Sequence, residues 1–136
     1  MTFVLDASVA MSWCFEDEST AHTEALLDRV GAEGAVVPTI WFLEVANVLL
    51  VAERQGRLTD AQATRFTALL QQLPIETDEA PQGLDELLGW GRRYSLSAYD
   101  ASYVGLAETS GLPLATLDAR LSAAATMAGV ELLLAP

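Results

Sequence analysis

Four carboxylates in this chain stand where charge is costly. Asp6 closes Thr2–Leu5, a short β-branched and aromatic run of the kind buried in a sheet. Asp118 closes the LATL run in the same way, and Asp100 lies at the head of the helical segment Tyr99–Thr109. Glu44 is the only charge between Glu33 and Glu53, with Ile40, Trp41, Phe42, Leu43, Val45, Ala46, Val48, Leu49 and Leu50 around it. A helix apolar on nearly every face is expected to be buried, and an unpartnered buried carboxylate costs about 2–7 kcal/mol or more. Asn47, three residues on, shares the face of Glu44.

Each acid has a plain structural alternative. Asp is a favoured N-cap, and helices are expected to start at Ala7 and Ala119, directly after Asp6 and Asp118. Ser97-Ala-Tyr-Asp100 fits a capping box with Asp100 as the reciprocal acid. Taken singly, these three read as caps as readily as they read as ligands. For Glu44 the alternative is an exposed stripe made of Glu44 and Asn47 alone.

Few groups are available to compensate such a cluster. The only histidine, His22, lies in a mixed polar helix and reads as a surface residue, and the chain has no lysine. Arginine or a bound divalent ion remains. Oxygen-only ligation favours Mg²⁺ or Mn²⁺ over zinc. Such an ion on a few carboxylates polarises a phosphoryl oxygen and lowers the pKa of a bound water, which is phosphodiester-cleaving chemistry. A lone Cys14 and a lone His22 leave no plausible nucleophile–base pair for covalent catalysis.

Positioning these acids requires strands and helices in alternation. After the Thr2–Leu5 strand, helices are expected over 8–15 and 19–30, with a break at Gly31–Gly34 and a strand at Ala35–Val37. A helix over 41–54 ends at Gly56, and Thr59-Asp-Ala-Gln62 is a capping box opening a helix to about Leu73. Further strands are expected at Ile75–Thr77, within LPLATL and in the closing GVELLLA, and helices over 84–94, 99–109 and 119–128. Short apolar strands between helices imply an α/β fold with a mainly parallel sheet covered on both faces. Ligands bind such sheets outside the carboxyl ends of the strands, where Asp6 and Asp118 fall.

The bulk properties narrow the class. With 136 residues and no linker, repeat or low-complexity block, residues 1–136 are expected to form one domain with a real core. The net charge of −12 argues against a sequence-independent nucleic-acid binder, although Arg92 with Arg93 and Arg54 with Arg57 are local positive pairs. One cysteine fits a reducing cytoplasm. The N-terminus lacks a basic region, and the apolar stretch AVVPTIWFLEVANVLLVA is interrupted by Pro38, Glu44 and Asn47, so neither a signal peptide nor a membrane span is expected. Trp13, Trp41 and Trp90 read as core or interface, and Val48–Ala52 with Phe66, Leu69 and Leu70 could form a dimer seam or ordinary core.

FVLDASV, PTIWFLEVANVL, LSAYDASYVGLAE and LATLDARL together resemble, in order and spacing, the motifs of PIN-domain nucleases, most closely VapC-type toxins of bacterial toxin–antitoxin pairs. The resemblance runs from Phe3 to Leu121. It implies that Asp6, Glu44, Asp100 and Asp118 are the acidic quartet holding the metal and doing the catalysis. Ser8, Asn47 and Thr116 match the polar residues that support them. It also implies a PIN-like three-layer sandwich, Mg²⁺- or Mn²⁺-dependent endoribonuclease activity on an RNA substrate, and a homodimer. The implied partner is a cognate antitoxin whose basic C-terminal segment brings arginine toward the acids.

Two other enzyme classes fit poorly. A phosphoacceptor receiver domain needs a lysine, and a haloacid-dehalogenase-type phosphatase needs a second Asp where this chain has Ser8. The open alternative is a catalytically silent scaffold of the same fold acting by partner binding. A passive RNA-binding module lacks its basic, aromatic-interleaved patch.

Overall fold

The computed structural model describes residues 2–133. Its centre is a four-stranded sheet of β1 (Val4–Leu5), β2 (Ala35–Val37), β3 (Ile75–Thr77) and β4 (Leu114–Ala115), in the order β3-β2-β1-β4. Every pairing is parallel, with Val4 opposite both Val36 and Leu114 and Ala35 opposite Ile75. The helices are α1 (Ala7–Cys14), α2 (Ala21–Glu33), α3 (Ile40–Arg54), α4 (Asp60–Gln71), α5 (Leu84–Tyr94), α6 (Ala98–Ser110) and α7 (Ala119–Met127). The chain moves outward from β1 to β3 and then returns to place β4 on the other side of β1. The carboxyl ends of β1 and β4 therefore form the switch point at which parallel α/β sheets open a crevice.

The core is the sheet and the helix faces laid on it. Phe3, Val4, Leu5, Val9, Val30, Val37, Val104, Leu114 and Leu121 are fully buried. Strands this short and this apolar are stable only when covered on both faces, which accounts for their lack of alternation. Caps set the helix starts: Thr59 and Gln62 exchange the expected reciprocal bonds, and Thr20 with Thr23 does the same for α2. At Gly105 on α6 a Cβ would collide with the Trp90 ring, so this glycine is what lets α5 lie close against α6.

Three expectations are corrected. Gly31 does not break α2, which continues to Glu33 and ends at Gly34. Gly34 has φ 78°, and a Cβ there would stand 3.0 Å from the Pro74 carbonyl oxygen. The closing GVELLLA strand contributes, among the described residues, a single bridge from Leu132 to Leu114; residues 134–136 lie outside the described residues. Finally, α3 is not buried all round. Trp41, Val45, Leu49 and Ala52 form its core stripe, whereas Leu43 is 68% exposed and Phe42, Val48, Leu50 and Val51 are exposed beside it. Hydrophobicity alone does not separate a core face from a face awaiting a partner.

Candidate active site

Asp6 follows β1 directly, and its N–H donates to the Ala115 carbonyl, so pairing with β4 extends to the acid itself. The carboxylate makes no cap to α1 and is only 6% exposed. Its Oδ2 accepts from Ser8 Oγ at 2.6 Å and from Thr116 Oγ1 at 2.7 Å. Each hydroxyl is aimed by a backbone donor: Leu117 N–H to Ser8 Oγ at 3.0 Å, and Asp118 N–H to Thr116 Oγ1 at 3.0 Å. These four bonds tie the β1–α1 junction to the β4–α7 junction. Neither hydroxyl reaches Oδ1. Burial raises the Asp6 pKa and the Asp118 charge adds to it, against the lowering by the two hydroxyls.

Glu44, half-buried on α3, accepts from the Tyr103 hydroxyl through Oε1 at 2.5 Å. Burial raises its pKa; the Tyr103 bond lowers it, while Asp6 and Asp100 raise it again. The phenol itself is held above the ordinary tyrosine value, by burial first and then by Glu44, so it stays a donor.

Asp100 sits in the first turn of α6, where its N–H donates to the Ser97 hydroxyl at 3.1 Å. The reciprocal bond of a capping box, from the Ser97 N–H to the Asp100 carboxylate, is not made. Burial raises its pKa and the charges of Asp118 and Asp6 raise it further, while the Ser97 side chain and then Arg120 lower it. Asp118 does cap α7, with Oδ1 accepting from Leu121 N–H at 2.9 Å. The cap alternative thus holds for Asp118 and fails for Asp6 and Asp100.

The four acids share one electrostatic field: Asp6 couples to Glu44, Asp100 and Asp118, and Asp100 couples to Glu44 and Asp118. Among the described residues, no three acids, histidines or cysteines stand as a ready-made metal cage. Tyr103 holds Glu44, and the α7 N-terminus holds Asp118. In chemical type the donor set fits a hard divalent cation. It offers oxygens only, and Asp6, Glu44 and Asp100 are all less acidic than free carboxyls, by burial first and by their like charges second.

Ser8 and Thr116 both donate to Asp6, whereas Asn47 is exposed with no hydrogen bond among the described residues. Sequence reasoning missed Tyr103 and Arg120. Tyr103 was detectable as a phenol one helical turn after Asp100 on a buried face, where a hydroxyl needs an acceptor. His22 is exposed, and Cys14 is half-buried with its thiol pKa raised by burial. Trp41 is buried, while Trp13 donates to the Thr23 carbonyl at 2.7 Å. Arg57 is held by Asp17 and Glu18 and stacks on Phe15, and Arg29 pairs with Glu33, so neither contributes a free cationic patch. Among the described residues, no helix is long and apolar enough to cross a membrane.

The PIN domain matches residues 3–127, the stretch that holds the parallel sheet and all four acids. The chain belongs to the PIN domain family, and within it to the VapC-type proteins. It is 37% identical over 123 residues to Ribonuclease VapC3 of Mycobacterium tuberculosis, covering 89% of this chain and 85% of that protein. It is 35% identical over 119 residues to Ribonuclease VapC9 of the same species, covering 88% and 87%. Among solved structures it resembles PAE2754 from Pyrobaculum aerophilum, with TM-score 0.73 and 28% identity over 98% of this chain and 84% of that one. FitAcB from Neisseria gonorrhoeae shares the fold, with TM-score 0.67 and 17% identity over 97% and 96%.

Proposed function

We propose that this chain is a metal-dependent endoribonuclease and the toxin of a toxin–antitoxin pair. The observation that carries the reading is the set of three carboxylates, buried Asp6 and half-buried Glu44 and Asp100, that lie within one another's field beside the sheet's switch point. Repulsion and burial of this kind destabilise a fold and persist where function uses them. The relatives named as ribonucleases support the activity, and the FitAcB likeness supports the fold.

In this reading Asp6 and Asp100 hold Mg²⁺ or Mn²⁺, Asp118 completes or extends the set, and Glu44 positions or deprotonates the attacking water. The bound ion supplies Lewis-acid activation of the scissile phosphate and of that water. Ser8 and Thr116 fix Asp6 through Oδ2 and leave Oδ1 without a hydroxyl donor. Hydrolysis leaves a 5′-phosphate and a 3′-hydroxyl. EDTA should abolish cleavage of a structured RNA, Mn²⁺ or Mg²⁺ should restore it, and His22→Ala should leave it intact. Cleavage that persists in EDTA, or a 2′,3′-cyclic phosphate at the new end, would overturn the mechanism.

The partner is an antitoxin with a basic C-terminal segment, complementary to a net charge of −12. The Klebsiella pneumoniae toxin–antitoxin complex, with TM-score 0.58 and 15% identity over 85% of this chain and 86% of that one, shares the fold. The exposed α3 face, with Leu69 of α4, forms the homodimer seam, and Leu50→Asp should give monomers by sedimentation. The place of action is the cytoplasm, where a single unpaired cysteine stays reduced. The lack of a ready-made cage among the described residues favours the second reading, a silent scaffold acting by partner binding. Calorimetry with Mn²⁺ separates the two, because a silent scaffold would bind the ion no better than Asp6→Asn does.

A further inference from the structure

Tyr103 is the largest fully buried side chain described, at 0% exposure, yet its hydroxyl points into the acids rather than into the core. It donates to Glu44 Oε1 across 59 positions of sequence. It also lies within the field of Asp6, and the Ala7 N–H at the start of α1 acts on both Asp6 and the phenol oxygen. One hydroxyl therefore stands among β1, α1 and α3 while belonging to α6, the helix that carries Asp100. Asp100 and Tyr103 are three residues apart on that helix, so they project from the same face.

The geometry points to Tyr103 as a positioning residue for the cleavage reaction, one that holds the Glu44 carboxylate by Oε1 and leaves Oε2 to act on water. This rests on the nuclease reading above. Among the described residues Oε2 accepts no protein hydrogen bond, and Glu44 has no other protein donor. A glutamate on a helix has several side-chain rotations available, and fixing one of them is what a shielded donor accomplishes. Burial makes the contact specific, because water cannot replace a phenol that no solvent reaches.

The test is a double-mutant cycle of Tyr103→Phe and Glu44→Ala on the full chain. It reads kcat and KM on RNA at saturating Mn²⁺, and the urea midpoint without metal. Tyr103→Phe should lower kcat by about 10–100-fold with KM for RNA within about twofold. In the Glu44→Ala background the same change should alter neither kcat nor the urea midpoint by a measurable amount. In the Glu44→Asp background, which keeps the charge but falls short of the phenol, adding Tyr103→Phe should change kcat by less than about twofold, whereas an independent tyrosine would cost as much there as in the wild type. A merely structural tyrosine would instead lower the urea midpoint equally in both backgrounds and leave kcat of the folded protein unchanged, which overturns the positioning role. Absent cleavage by the wild type would remove the nuclease reading, whereas undiminished cleavage by Glu44→Ala would leave that reading standing and overturn the role of Tyr103, and both are distinguishable from additive losses.

Discussion

Thr116 and Asp6, 110 positions apart, are joined by a buried 2.7 Å hydrogen bond that closes the switch point of the sheet. Because the Asp118 N–H donates to the same threonine oxygen, the hydroxyl proton is directed at the carboxylate. Thr116→Val keeps the shape of the side chain and removes the donor. It should lower Mn²⁺ affinity by about 10–100-fold in a calorimetric titration. Ser8→Ala removes the other donor to the same oxygen and should act in the same direction. Affinity unchanged in both variants would show that Asp6 needs no support to bind.

Stability of the metal-free protein should rise on mild acidification. Burial raises the folded-state pKa values of Asp6, Glu44 and Asp100 above their ordinary values, so the folded state binds more protons than the unfolded one between the two sets of values. The destabilisation is fully present above the folded pKa values. It is relieved as pH falls through them, and it is gone below the unfolded ones. Urea midpoints taken downward from neutral pH should therefore increase before general acid unfolding sets in, and Asp6→Asn should flatten the rise. In the presence of Mn²⁺ the trend should reverse, since protons compete with the ion. A midpoint that falls steadily with pH in metal-free wild type would mean that the acids are compensated by something else.

Much of the site was legible because its residues lie next to strong local signals. Asp6 and Asp118 follow apolar strand runs, and Ser97, Thr59 and Gln62 mark helix starts by cap chemistry that depends only on near neighbours. What was not legible depends on distant packing. The Tyr103–Glu44 bond joins two helices, and nothing local to either residue names the other. The α3 face was misjudged for a related reason, because Leu43 and Leu50 look like core residues until the neighbouring helices are seen to cover only one side. Of the closing strand, the described residues hold the one bridge from Leu132 to Leu114, and residues 134–136 lie outside them.

Asp118 and Asp100 provide the sharpest contrast within the site, because they share a charge and differ in what the fold asks of them. Asp118 Oδ1 caps α7 through Leu121 N–H, and replacing such a cap by alanine costs about 0.5–2 kcal/mol. Asp100 makes no reciprocal capping bond, and its carboxylate adds repulsion with Asp118 and Asp6 that the Ser97 side chain partly offsets. In metal-free urea melts Asp118→Ala should therefore lose stability in that range, less whatever repulsion it relieves, while Asp100→Asn should be neutral or stabilising. Mn²⁺ binding should rank them the other way, with the greater loss in Asp100→Asn. Equal stability changes in the two variants would mean that the α7 cap contributes nothing, and that Asp118 is held in the site by the ion alone.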